Sequence, residues 1–316
     1  MAFAPINRAY GEVFRPGRLS IGLVAPLEAV PPMELPTLDQ HLARIQLADR
    51  LGFAAIWLRD IPFNVPSFGD VGQTFDPFTY LGALAVGTER IALGVASIIL
   101  PLRHPAHVAK SVATVDQLSG GRMLLGVASG DRPEEYPALA ADYETRGERF
   151  RDAMAYIRAS HSDWPDYTGQ HGRLNGRMDM LPKPTAGRVP MLITGGARQS
   201  PDWGAAHGDG WITYPRNAAM QAKVVTDYRA RVAAAGQGDK PVMQSLYVDL
   251  MPRAAMPPRP IHLGFACGTD FLLRYLKEIE ALGVNHVAIN LGLNNADMDE
   301  TLHRLAEEVL PEFAAP

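Results

Sequence analysis

At 316 residues, with 47% apolar and 20% charged side chains, the chain has the make-up of an ordinary soluble globular protein. A net charge of −4 without any basic run excludes a general nucleic-acid footprint, and no stretch of about 18 apolar residues is present to span a bilayer. The lone cysteine, Cys267, excludes an internal disulfide framework; with no apolar signal core at the N-terminus, a cytoplasmic setting is expected.

In chain order, residues 1–18 carry Pro5, Gly11, Pro16 and Gly17 and predict an arm laid over the surface. Leu19–Ala25 is a continuous apolar run, the first strand, followed by a Pro-rich loop. Thr37 and Asp39 are placed to cap a helix that runs to Leu51 and stops at Gly52. Ala54–Leu58 is the second strand, and residues 60–76 form a long loop with Pro62, Pro66, Phe63, Phe68 and Phe75. A helix over Pro77–Gly87 leads to strand three, Ile91–Ser97; Pro105 opens a helix that closes at Ser119-Gly120-Gly121. Strand four, Met123–Ala128, precedes a helix over Glu144–Ala159. Residues 160–188 weaken into an irregular insertion, after which strand five (Pro190–Thr194), a helix (Ser200–His207), strand six (Gly210–Thr213) and a helix (Asn217–Ala235) resume the rhythm. Strand seven is Met243–Leu250, and residues 253–268 are a further irregular insertion. A helix over Thr269–Leu282, strand eight (Val284–Asn290) and a helix over Asp297–Leu310 complete the chain. Strands alternating with helices eight times predict one α/β domain over 1–316, a single (β/α)8 TIM barrel with insertions. A doubly wound sheet is the alternative, but no G-x-G-x-x-G follows the first strand.

Chemistry in a barrel gathers at the carboxyl ends of the strands. Leu-Gly-Val-Ala-Ser occurs twice, at 93–97 and 125–129, and closes strands three and four in small residues. Ala96-Ser97 and Ala128-Ser129-Gly130 form either a smooth floor for a flat ring or close-packing positions for helices. Thr194-Gly195-Gly196-Ala197-Arg198-Gln199-Ser200 is either a phosphate-binding turn, with open N–H groups, the Arg198 cation and the Ser200 hydroxyl, or a tight turn that Ser200 caps. Asp60 after strand two is a candidate acid, base or ligand contact that Arg59 neutralises; Arg132 and Tyr136 after strand four are candidates to contact a ligand. His104 and His107 have the i, i+3 spacing of two metal ligands on one face, but with no third ligand nearby they are expected to cap and pack a helix start, and no metal site is expected. Trp203 and Trp211 are expected to pack the helix layer and the barrel.

Three further stretches, Leu100-Pro101-Leu102-Arg103-His104-Pro105, Val115-Asp116-Gln117-Leu118-Ser119-Gly120-Gly121-Arg122 and the Gly195-Gly196 turn, resemble the bacterial luciferase-like flavin-dependent monooxygenase family. The resemblance implies a TIM barrel, a homodimer, and FMN or a 5-deazaflavin coenzyme bound at the strand ends. It implies a non-prolyl cis peptide at Ala96-Ser97 against the flavin ring, and phosphate contacts from Gly196, Ala197 and Ser200. Two departures stand out. No histidine follows strand two, where Leu58-Arg59-Asp60-Ile61 is found, and Ser129 occupies a position where some members carry arginine, leaving Arg198 as its replacement.

The leading expectation is an FMN-dependent monooxygenase that oxidises a small organic molecule with O2, supplied with reduced flavin by a separate reductase. In it Arg59, Asp60 and Arg132 line the substrate side and serve as catalytic candidates. The alternatives are deazaflavin-dependent hydride transfer, with Arg198 and Arg216 as cations for the longer acidic tail, and a flavin-binding or partner subunit without turnover.

Overall fold

The structure, a computed structural model, describes residues 3–30, 34–68 and 75–314; residues 69–74 of the expected 60–76 loop and 31–33 of the Pro-rich loop lie outside the described residues. Helix α1 (Arg8–Val13) precedes β1 (Ser20–Val24), α2 (His41–Leu51), β2 (Ala55–Leu58), α3 (Pro77–Gly87), β3 (Ala92–Ile99), α4 (Pro105–Ser119) and β4 (Met123–Ala128). A short α5 (Glu135–Ala138), α6 (Arg146–His161) and a hairpin of β5 (Asp166–Gly169) and β6 (Gly172–Asn175) follow. Then come β7 (Met191–Thr194), α7 (Pro201–His207), β8 (Gly210–Thr213), α8 (Ala218–Ala234) and β9 (Val242–Leu250). A second hairpin of β10 (Arg259–Ile261) and β11 (Gly264–Cys267), then α9 (Thr269–Ala281), β12 (His286–Asn290) and α10 (Met298–Glu308), end the order.

Parallel pairing runs β1-β2-β3-β4-β7-β8-β9-β12 and returns from β12 to β1, so the sheet closes into the expected eight-stranded barrel. Each barrel strand is buried on both faces, which is why it reads as an unbroken apolar run. Side chains such as Leu23, Val95, Val127 and Leu246 face the helices, while Trp57, Leu124, Leu192 and Met243 fill the lumen. Trp57 is fully buried there and donates from Nε1 to Nε2 of His286 at 2.8 Å; His286 Nδ1 meets Ser20 Oγ at 2.7 Å. Gly94 makes the room, because a Cβ on it would lie 2.3 Å from the Trp57 ring.

The N-terminal arm does not lie over the outside. Phe3, Ile6, Ala9, Tyr10, Val13 and Phe14 are buried and pack with the lumen residues, so α1 plugs the end of the barrel where the strands begin. Asn7 caps α1 and ties it to Asp116 Oδ1 (3.0 Å) and the Met123 carbonyl (2.8 Å). Arg122 is 2% exposed and spends its five N–H donors on the carbonyls of Ser119, Ile91, Ala85 and Thr88 and on Thr88 Oγ1. The Asp-Gln-Leu-Ser-Gly-Gly-Arg run is therefore scaffold, at the end remote from the chemistry.

The cap expected at Thr37 and Asp39 is not formed. Leu38 and Gln40 have positive φ, Gln40 stands at the N-cap without a side-chain bond, and the Glu28 carboxylate takes the N–H groups of Thr37 and Leu38. Residues 253–268 are not wholly irregular, since β11 adds in parallel to the upper half of β9, where β8 has already ended.

Candidate active site at the carboxyl ends of the strands

The ladder between β3 and β4 is interrupted between Val95 and Ile98, and the Ala96–Ser97 peptide within that gap is cis. Interruptions of this kind re-aim side chains at functional sites. Ser97 is 8% exposed and hydrogen-bonds through Oγ to Thr194 Oγ1, the last residue of β7. The bare Cα of Gly126 in β4 lets that contact pass: a Cβ there would lie 2.4 Å from the Val95 carbonyl and 3.1 Å from Ser97 Oγ. The two copies of Leu-Gly-Val-Ala-Ser thus lie on adjacent strands, and the glycine of the second admits the serine of the first.

Ser129 and Gly130 follow the end of β4. Gly130 has φ +78° and its missing Cβ would meet Ile99 Cγ2 and the Tyr136 hydroxyl at 2.7 Å each, so only glycine fits. Tyr136 is fully buried and donates to the Ser129 carbonyl, so it fixes the loop and does not reach out to a ligand.

Beyond β7 the turn takes the shape of an anion cradle. Gly195, Ala197 and Arg198 have φ of +56°, +43° and +58°. Non-glycine residues in that region are costly and cluster at ligand clamps. Gly195 is held by Trp211 Nε1 on its carbonyl (2.9 Å), and Gln199 Nε2 ties the turn to the Gly147 carbonyl at the start of α6 (2.8 Å). Among the described residues, no protein acceptor takes the N–H groups of Gly196, Ala197 or Arg198. Ser200 does cap α7, accepting from the Trp203 N–H at 3.2 Å, and its own hydroxyl proton stays available. A cavity of about 310 Å³ opens here, lined by Arg198, Arg151, Ser200 and Trp203 with Glu144 and Glu148. Arg151 was not legible in the sequence, being one of several arginines on α6; only the fold shows which one faces the turn.

Asp60 is 7% exposed, and its partner is Arg103, not Arg59. Arg103 grips both carboxylate oxygens at 2.7 and 3.0 Å, Asp60 Oδ2 also accepts the Ile99 N–H at 3.1 Å, and Arg103 reaches on to Asp76 at 2.9 Å. One arginine of the Leu-Arg-His-Pro stretch therefore joins strand two, strand three and the start of α3. His104 accepts the Ala106 N–H at 3.2 Å, the capping role expected of it.

Arg132 and Glu135 are buried at 5% and 3% exposure, 3.8 Å apart. The Arg132 guanidinium stacks over Phe68 (4.3 Å), and Ser67 bonds Glu134 (3.1 Å). The loop after β2 thus crosses the end of β3 to join the loop after β4. Burial raises the Glu135 carboxyl, against the pull of Arg132. Tyr214 is half exposed; burial raises its phenol, Asp131 adds to this and Arg59 opposes it.

The sequence pattern of the luciferase-like monooxygenase family matches residues 14–253. The chain belongs to this family. Its members are flavin- or F420-dependent oxidoreductases and monooxygenases, and this chain is an oxidoreductase of that kind. An uncharacterised Mycobacterium tuberculosis protein is 32% identical over 232 residues, 66% of this chain and 79% of its own length. An FMNH2-dependent dimethylsulfone monooxygenase of Pseudomonas putida is 30% identical over 64% of this chain and 56% of its own length. An F420-dependent hydroxymycolic acid dehydrogenase of M. tuberculosis is 28% identical over 63% and 55%. Among solved structures, the monooxygenase RslO1 of Streptomyces bottropensis has a TM-score of 0.78 at 19% identity, covering 93% of this chain and all of that one, which shows the shared barrel. Among the described residues no helix is long and apolar enough to cross a membrane.

Proposed function

We propose that the chain is an FMN-dependent monooxygenase acting on a small organic substrate. The observation that carries this reading is the strained turn at Gly195–Ser200, whose Arg198 and Ser200 line a cleft together with Arg151. The residues fit a flavin mononucleotide. Gly195, Gly196, Ala197, Arg198 and Ser200 would hold its phosphate, with Arg198 in place of the arginine absent at Ser129. Ala96, Ser97, Ser129 and Gly130 would support the ring. When bound, the flavin supplies the redox chemistry with oxygen. The protein would orient it, and the junction of Phe68, Arg132 and Glu135 would help to keep water from the ring. Arg59 and Arg132 line the substrate side, while Asp60 serves as an anchor because Arg103 occupies its carboxylate.

One observation supports FMN over a deazaflavin with its longer acidic tail. Arg216, the other cation available to such a tail, lines a different cavity. The F420-dependent relative keeps hydride transfer from a deazaflavin as the second reading. A cytoplasmic homodimer that receives reduced flavin from a separate reductase completes the proposal. Parallel fluorescence titrations with FMN and F420, followed by oxygen uptake with reduced FMN and a substrate panel, test it. Saturable FMN binding and substrate-coupled oxygen uptake are expected; tighter binding of F420, or no binding of either, contradicts it.

A further inference from the structure

A cavity of about 460 Å³ lies outside the barrel lumen, between the Pro215–Ala218 loop, β9, the β10–β11 hairpin and α9. Its volume falls within the roughly 300–1,000 Å³ of small-molecule sites. It shares no lining residue with the cleft at the Gly195–Ser200 turn. Leu246, at its back, belongs to the core between sheet and helices.

Its walls are built from rings. Phe265 stands 5.0 Å from Phe271 and 5.2 Å from Tyr275, edge to face in both cases, and all three are only partly buried. The cationic end is Arg216. Its guanidinium makes three hydrogen bonds, to Thr213 Oγ1 (2.7 Å), the Tyr214 carbonyl (2.9 Å) and Gln221 Oε1 (3.4 Å), and all three leave from Nη1. The group is therefore held in place while its Nε–Nη2 edge, the edge that matches a carboxylate fork, has no partner among the described residues. The Tyr275 hydroxyl accepts from Gln244 Nε2 at 3.2 Å and keeps its proton to donate. Glu278, the acid at the same cavity, is exposed and water-screened, so the fixed half-buried arginine sets the sign of the site.

We propose that this cavity is a second ligand site, for a small aromatic carboxylate: the ring packs against Phe265, Phe271 and Tyr275, and the carboxylate sits on the free edge of Arg216. The ligand class follows from the pairing of an aromatic wall with one pre-positioned guanidinium fork.

Calorimetric titration of the full chain with indole-3-acetate and with tryptamine tests this. Saturable one-to-one binding of indole-3-acetate is expected, with tryptamine at least tenfold weaker. Arg216→Met should weaken indole-3-acetate at least tenfold, and Arg132→Met, at the barrel mouth, should leave it unchanged. Phe271→Leu removes one ring without touching the arginine's bonds and should also weaken it several-fold, which keeps the test decisive if Arg216→Met misfolds. Absence of saturable binding, tryptamine binding as tightly, insensitivity to both cavity variants, or loss in Arg132→Met overturns the proposal.

Discussion

The Ser97 hydroxyl meets the Thr194 hydroxyl across β4, over the bare Cα of Gly126. This single contact joins the strand ends proposed to carry the ring floor and the phosphate turn. Gly126→Ala would push a methyl into the Val95 carbonyl and against Ser97. Overpacking of this kind costs about 1–3 kcal/mol. A lowered melting temperature together with weakened flavin binding is expected, read by thermal unfolding and fluorescence titration. Unchanged flavin affinity would separate the Ser97–Thr194 contact from the cofactor.

His286 supplies a pH dependence. Complete burial pushes its imidazole down from 6.5 to about 3. The unfolded chain therefore takes up a proton below about pH 6.5 that the folded chain refuses until near pH 3, so stability falls as pH drops through that window, at up to about 1.4 kcal/mol per pH unit from this group. Because Trp57 donates to Nε2, the ring proton sits on Nδ1 and points to Ser20. Denaturant unfolding from pH 7 to 4 should be less steep in pH for His286→Gln than for the wild type. Equal slopes would contradict the buried neutral imidazole.

Asp60→Asn tests anchor against base. Breaking the fork to a partly exposed Arg103 should cost about 3 kcal/mol, near the low end for a buried pair. If Asp60 only positions Ile99 and Arg103, the acidic limb of kcat/KM against pH survives in the variant at reduced stability. Loss of that limb would restore Asp60 to a proton-transfer role.

The barrel was legible because buried parallel strands announce themselves as apolar runs: Met123–Ala128 and Gly210–Thr213 match the observed strands to the residue. The helix starts at Pro105, Asn217 and Asp297 were legible for equally local reasons. What failed depended on distant partners. The burial of the N-terminal arm requires the open lower end of the lumen, which no local pattern reveals. The pairing of Asp60 with Arg103 spans more than forty residues, and proximity in sequence pointed instead to Arg59. The β10–β11 hairpin exists because β8 stops short and leaves the upper edge of β9 to be paired. At the site, glycine spacing marked the Gly195–Ser200 turn, yet the place of Arg151 and the junction of Phe68, Arg132 and Glu135 come only from how loops meet in space.

The phosphate turn is the feature on which the functional reading rests, and its most direct test compares FMN with riboflavin, which differ by the phosphate alone. Titrations of the wild type and of Arg198→Gln should give at least tenfold tighter binding of FMN than of riboflavin in the wild type. A charge-assisted hydrogen bond is worth about 1.5–3 kcal/mol, so Arg198→Gln should erase roughly tenfold or more of that preference and leave riboflavin affinity unchanged. Equal wild-type affinity for the two ligands, or an equal loss of both in the variant, would contradict a phosphate held by the Gly195–Ser200 turn.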